Sequence, residues 1–129
     1  MDSDKKRKVL LVDDEPSIVK MVAKRLEVAG FEVVVAMDGE EALEKAKTAG
    51  PDIIILDCML PKLNGYEVCG MLKKDPGLQK TPVIMLSARV QEKDEKAGLE
   101  CGADAYMRKP FNSQELVAQI NLLCSGAAR

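Results

Sequence analysis

The segment Ile53-Ile54-Ile55-Leu56-Asp57 decides the fold. Four consecutive large aliphatic residues leave no polar face, which is the pattern of a central strand in a parallel sheet covered on both sides. An aspartate closing such a strand must face a polar cleft or a partner, because burying a lone charge is costly. The same kind of run recurs on either side. Lys8 to Val12 reads as a first strand, Glu32 to Ala36 as a second, Pro82 to Leu86 as a fourth and Ala105 to Arg108 as a short fifth. Amphipathic stretches separate them. From Pro16, the residues Ile18, Met21, Val22, Leu26 and Ala29 recur at helical spacing, and Gly30 marks the stop. Asp38 and Glu41 have capping-box spacing for a helix through about Ala49, which Gly50-Pro51 ends. A loop over 58–65, with Pro61 and Asn64-Gly65, precedes a short helix from Tyr66 to Lys74. Val90 to about Cys101 is a fourth helix of weaker pattern. Asn112 caps the last helix, with Glu115 at the capping-box position and Phe111 and Leu116 spaced as a hydrophobic staple.

These units predict an α/β protein: a (βα)5 doubly wound, five-stranded parallel sheet with helices on both faces. In such sheets a site forms at the carboxyl ends of the strands, near the point where strand order reverses. The expected organisation is a basic leader over 1–7, one domain over 8–124, and a tail or the start of a linker over 125–129.

Composition removes whole classes of function. The 129 residues are 47% hydrophobic and 31% charged, the balance of a globular domain. The longest apolar run, Val33 to Met37, is five residues, far too short to cross a membrane. No apolar stretch follows Lys5-Lys6-Arg7-Lys8, so no secretory signal is expected and the location is expected to be cytoplasmic. Outside the first eight residues there are 15 basic and 19 acidic side chains. A net negative surface does not draw a phosphate backbone, so direct nucleic-acid binding is not expected. The absence of histidine removes imidazole zinc sites, histidine-based triads and any role as a phosphohistidine donor. Cys58, Cys69, Cys101 and Cys124 stand 11, 32 and 23 positions apart, none at the spacing of a zinc or redox pair.

The residues just past the strands carry the chemistry. Strand one ends in Asp13-Asp14-Glu15, strand three in Asp57, strand four in Ser87-Ala88, and strand five leads to Lys109-Pro110. Three carboxylates, a hydroxyl and an ammonium would converge on one sheet edge. Clustered carboxylates need a compensating cation. Oxygen-only donors suit Mg²⁺, whereas zinc prefers nitrogen and sulfur. Each element taken alone has a plainer reading. Asp13-Asp14 is equally a turn and helix N-cap ahead of Pro16, Ser87 an ordinary helix cap, and Lys109 a solvated lysine. Their conjunction is what points to a site.

With these segments in view, the chain from about residue 7 to 124 resembles the receiver domain of two-component response regulators, in the manner of a chemotaxis-regulator-like single domain. The resemblance rests on Leu11 to Pro16, on Ile55 to Asp57 with Met59, Pro61 and Gly65, on Ile84 to Ala88, and on Gly102 to Phe111. It implies a flavodoxin-like fold of strand order 2-1-3-4-5. It implies that Asp57 is the phosphoacceptor, taking a phosphoryl group from phosphohistidine on a histidine kinase or a histidine phosphotransfer domain. Asp14 is then a direct Mg²⁺ ligand, Asp13 acts mainly through water, and Asp57 and the Met59 backbone carbonyl complete the protein ligands. Lys109 holds a transferring oxygen, Ser87 is the switch hydroxyl beside the small Ala88, and Tyr106 is the aromatic switch. A half-buried strand aromatic would explain Tyr106 equally well. Lys109-Pro110 is a candidate cis peptide. The readout surface is expected on the fourth helix, fifth strand and fifth helix, facing an output protein that sequence does not name.

Gln91 to Ile120 is also similar to the winged-helix transcription-factor subfamily, whose receivers dimerise through charged pairs on this face. Here Glu95 would stand with Glu115 as like charges, and Ala105 and Gln119 replace an acid and an arginine. A monomer or weak dimer is therefore expected. The sequence is expected to be either a complete single-domain regulator or a receiver excised from a longer protein, and Ser125 to Arg129 is compatible with both. It is expected to be a phosphoacceptor signalling domain that catalyses its own phosphorylation and dephosphorylation, and not otherwise an enzyme. An aspartyl phosphatase needs an acid two residues after its nucleophile, where Met59 stands. A flavodoxin-like cofactor binder needs a Ser/Thr/Gly-rich phosphate loop where Asp13-Asp14-Glu15 stands. A receiver that works without phosphorylation would have lost its acceptor or its lysine, and both are present. Cys58 alternates away from Asp57 and reads as structural.

Overall fold

The computed structural model describes residues 7–60, 63–87, 102–109 and 111–124. The fourth helix expected over Val90 to Cys101 lies outside the described residues. So do Pro61, Ala88, Arg89, Glu95, Pro110 and most of the leader and tail. The described elements are β1 (Lys8–Val12), α1 (Pro16–Val28), β2 (Glu32–Ala36), α2 (Gly39–Ala49), β3 (Ile53–Asp57), α3 (Gly65–Lys74), β4 (Val83–Ser87), β5 (Ala105–Arg108) and α4 (Ser113–Cys124).

All five strands are parallel, as the alternation of strands and helices predicts, and run in the order β2-β1-β3-β4-β5 that the resemblance implies. The aliphatic run of β3 sits at the centre, flanked by β1 and β4, and every residue from Ile53 to Asp57 is buried. Its side chains alternate between two cores. Ile54 and Leu56 join Leu10, Val12, Val83 and Met85 beneath α2 and α3. Ile53 and Ile55 join Val9, Leu11, Ile84 and Leu86 beneath α1 and α4. A strand apolar on both faces is what a sheet with helices on both sides needs.

The helix caps follow the local sequence at some positions and depart from it at others. Asp38 accepts the Glu41 N–H at 2.8 Å, as its spacing predicts. The Glu41 carboxylate reaches back to the Met37 N–H at 2.7 Å, one residue beyond the expected partner. That bond, followed by the Lys45 ammonium at 3.0 Å, holds the Glu41 carboxyl below the usual carboxylate range. Asn112 accepts from the Gln114 N–H at 2.7 Å, so it caps through the second helical residue. Phe111 packs against the core containing Leu116, as a staple would. The complete reciprocal box lies where a loop was expected to end: Asn64 accepts from Glu67 N–H, and Glu67 accepts from Asn64 N–H. It starts α3 at Gly65, one residue earlier than predicted.

Gly65 is where the chain after β3 turns back onto the sheet edge. Its N–H donates to the Cys58 carbonyl at 3.0 Å. A Cβ built there would collide with the Asp57 carbonyl oxygen and lie 2.8 Å from the Cys58 Cα, both rigid backbone atoms. Gly65→Ala should therefore destabilise the fold by about 2 kcal/mol, read as a lower urea midpoint at unchanged slope.

Candidate phosphoacceptor and metal site

Each candidate residue sits at the carboxyl edge because its backbone extends the ladder by one rung. Asp13 N–H donates to the Ala36 carbonyl at 3.2 Å, Cys58 N–H to that of Leu86 at 2.9 Å, and Lys109 N–H to that of Ser87 at 2.7 Å. The pleat then sorts the side chains. Asp13, Asp57 and Lys109 come together on one side. The Lys109 ammonium lies 2.9 Å from Asp13 Oδ2 and 3.4 Å from Asp57 Oδ2. Asp13 is fully buried and Asp57 is 4% exposed. Asp14 is exposed at the rim. Asp13, Asp14 and Asp57 each offer an oxygen such that all three atoms lie within 4.8 Å of one another.

The plainer reading of Asp13-Asp14 as a helix cap does not describe this arrangement. The N-cap of α1 is Glu15, which makes no side-chain cap bond, and Pro16 starts the helix without needing a donor partner. Asp13 Oδ1 accepts the Glu15 N–H at 3.0 Å, and its other oxygen accepts from Lys109. Met59, an exposed residue, donates its N–H to Asp57 Oδ1 at 3.3 Å.

Burial pushes the Asp57 carboxyl up from its ordinary value of 3.8, against the attraction of Lys109, and the Asp13 charge pushes the same way. Burial works to lower the Lys109 ammonium. The hydrogen bond to Asp13 and the charges of Asp57 and Asp13 outweigh it, so its proton is held more tightly than usual. Among the described residues, one lysine meets three clustered carboxyl groups on this edge, an excess of acidic over basic groups. All three are oxygen donors, and among the described residues no thiolate or imidazole joins them. That donor set and charge fit a hard divalent cation such as Mg²⁺.

On the other side of the pleat lie Ser87, Tyr106 and Cys58. Ser87 is 5% exposed at the end of β4, and Tyr106 is half-buried on β5, packed against the core beneath α3. Cys58 does alternate away from Asp57, and that alternation brings its thiol against the hydroxyls of Tyr66, Tyr106 and Ser87. Tyr66 was not singled out in the sequence. Its signal is positional: it is the second residue of a helix that Gly65 draws onto the sheet edge. Cys69 is buried in the core and Cys124 half-buried; Cys101 lies outside the described residues.

Comparison with known proteins bears on the family and the fold. The family described as "Response regulator receiver domain" matches residues 9–121. The chain is 49% identical over 117 residues to the alkaline phosphatase synthesis transcriptional regulatory protein PhoP of Bacillus subtilis, covering 91% of this chain and 48% of that protein. It is 40% identical over 116 residues to the DNA-binding dual master transcriptional regulator RpaA of Synechocystis, covering 90% and 48%. It thus spans about half the length of these relatives. Among solved structures, a putative response regulator from Chloroflexus aurantiacus superposes with a TM-score of 0.90 at 36% identity, covering 94% of this chain and 99% of that one. The chemotaxis response regulator CheY4 of Vibrio cholerae gives 0.86 at 36% identity, covering 92% and 99%.

The upward shift of Asp57 has a stability consequence. Proton binding to Asp57 favours the fold, so its contribution is complete below 3.8 and is lost as pH rises through the raised value. In EDTA-containing buffer, Asp57→Asn should stabilise the protein by on the order of 1 kcal/mol near pH 7.5, a gain that shrinks as pH falls towards the ordinary carboxylate range. Urea titrations of both proteins across that span measure it.

Proposed function

The chain belongs to the response regulator receiver domain family of two-component systems, and on that premise we propose that it accepts a phosphoryl group on Asp57 from the phosphohistidine of a kinase or phosphotransfer domain. The convergence of Asp13, Asp14 and Asp57 within 4.8 Å, with Lys109 bridging the two buried acids, carries this reading.

In the proposed reaction the Asp57 carboxylate attacks phosphorus in line, forming a P–O bond as the P–N bond to imidazole breaks and the imidazole leaves with that electron pair. Positioning and charge do the catalytic work. Met59 N–H holds one Asp57 oxygen, which limits rotation of the carboxylate and presents the other. Lys109 already shares its ammonium between Asp13 and Asp57, so a short shift transfers a donor to an arriving phosphoryl oxygen. Asp14, Asp13, Asp57 and the Met59 carbonyl would hold Mg²⁺. When bound, the ion neutralises charge on the transferring oxygens. Ser87, across the pleat, is assigned the switch hydroxyl that turns to the phosphoryl group, and Tyr106 the aromatic that follows it. A dianionic group contacting Lys109 and Ser87 in one arrangement only shifts the population towards it.

The domain acts on its own side chain, so it is a phosphoacceptor signalling module and not an enzyme with an external substrate. No helix among the described residues is long and apolar enough to cross a membrane, which is consistent with a cytoplasmic place beside a kinase. Output is assigned to β5, α4 and the adjacent predicted helix. Ala105 packs into the core beneath α1 and α4, so this position offers no charge for a cross-subunit pair, and a monomer or weak dimer is proposed. If the chain is part of a longer protein, as its coverage of about half of these relatives allows, DNA binding would belong to the remainder.

Incubation with acetyl phosphate and Mg²⁺ should add about 80 Da to the intact mass. The gain should be absent in Asp57→Ala and in EDTA. Lys109→Ala should slow it by about 100-fold. A wild-type protein that gains no mass from acetyl phosphate or from any phosphorylated kinase tested, or an equal gain in Asp57→Ala, overturns the assignment.

A further inference from the structure

The side of the sheet edge away from the carboxylates holds a polar cluster of which the proposed function uses Ser87 and Tyr106 but not Tyr66 or Cys58. The hydroxyls of Tyr66 on α3 and Tyr106 on β5 lie 3.4 Å apart. Both rings pack against the core that contains Cys58, Val68 and Met85. The Cys58 thiol, 2% exposed and adjacent in sequence to Asp57, contacts both tyrosine hydroxyls and that of Ser87. Four donor–acceptor groups from α3, β5, β4 and the segment after β3 therefore meet at one point.

We propose that Tyr66 is a positioning residue of the switch, holding the Tyr106 ring inward before any phosphoryl group arrives. The meaning of Tyr106 as a switch rests on the receiver reading above; the contact itself does not. The physical case is specific. A hydroxyl–hydroxyl bond in a partly desolvated place is worth more than at the surface, because water there replaces a lost partner less readily. An inward ring keeps it and an outward ring loses it, so the bond acts on one side only of the Tyr106 equilibrium. Burial raises the Tyr66 phenol, and its contacts with the Tyr106 hydroxyl and the Cys58 thiol push the same way. Tyr66 and Cys58 also link Tyr106 to Ser87 sideways, without passing through the carboxylates. The resting protein thus begins with its aromatic switch partly committed, and phosphorylation acts mainly on Ser87.

The sequence makes this testable, since Tyr66 and Tyr106 are its only tyrosines and it has no tryptophan. Protein labelled with 3-fluorotyrosine gives two fluorine resonances, which Tyr66→Phe and Tyr106→Phe assign. Tyr66→Phe keeps the ring and removes only the hydroxyl. It should lower the inward-to-outward ratio of Tyr106 roughly fivefold, moving its resonance towards the denatured position. Beryllofluoride with Mg²⁺ should move it back. Thermal midpoint and the rate of mass gain from acetyl phosphate should stay within about twofold-equivalent limits of wild type, which separates positioning from general loss of structure. A Tyr106 resonance that does not move in Tyr66→Phe overturns the proposal. If that variant fails to fold, the wild type decides alone: a Tyr106 resonance with the solvent isotope shift of an exposed ring overturns it, and a small shift supports it. The fluorine readout is taken on unphosphorylated protein, so failure of the mass gain would refute the receiver reading and leave this result standing.

Discussion

Two buried aspartates held by one lysine set the terms for the whole carboxyl edge. Asp13 and Asp57 are out of water, and each alone would carry a desolvation penalty of several kcal/mol. The Lys109 ammonium, in reach of both, makes their burial tolerable, and its backbone is pinned to the Ser87 carbonyl. Neutralising Asp57 would relieve part of the negative excess, whereas removing the lysine would leave two carboxylates facing each other. The charge is still incomplete, since Asp14 adds another negative group at the rim. An edge in this condition favours whatever brings positive charge and tolerates a phosphoryl group only with that help. Metal binding and phosphoryl acceptance, as proposed, are two responses to one electrostatic deficit.

The pleat of the parallel sheet divides the edge into two chemistries. Residues of one parity, Asp13, Asp57 and Lys109, carry formal charge. Those of the other parity, Cys58, Ser87 and Tyr106, are neutral donors and acceptors in contact with the core beneath α3. Charge would be costly on that second side, where burial already raises the thiol and the Tyr66 phenol. The proposed transfer and the proposed readout would therefore sit back to back on the same strand ends, one rung apart. In that scheme a change in the first reaches the second through Ser87, with no long pathway required.

Much of this was legible residue by residue. Ile53 to Leu56 required burial on both faces, and that requirement implies helices on both sides and parallel neighbours. Asp57 at the end of that run had to meet a partner, and the order of strands brought Asp13 and Lys109 to it. Other features resisted reading. The Asn64–Glu67 box was hidden because Asn64-Gly65 reads as a turn as easily as a helix start. Glu41 capped one residue further back than its spacing suggested, because a flexible side chain takes the donor in reach. Cys58 was correctly expected to turn away from Asp57, yet parity says which side a residue faces and nothing of its neighbours there.

By itself the sequence determined the parallel α/β architecture, the strand ends that carry chemistry and the oxygen-only character of the site. These follow from periodicity, chain connectivity and residue type, all of which are local or topological. Only the tertiary structure decided that Lys109 rests closer to Asp13 than to Asp57, and that α3 carries Tyr66 over Cys58 to meet Tyr106. Those outcomes depend on how far a helix closes onto the sheet and on which of two carboxylates wins one ammonium. Differences of a few tenths of an ångström between groups far apart in the chain settle them, and no short stretch of sequence encodes such distances.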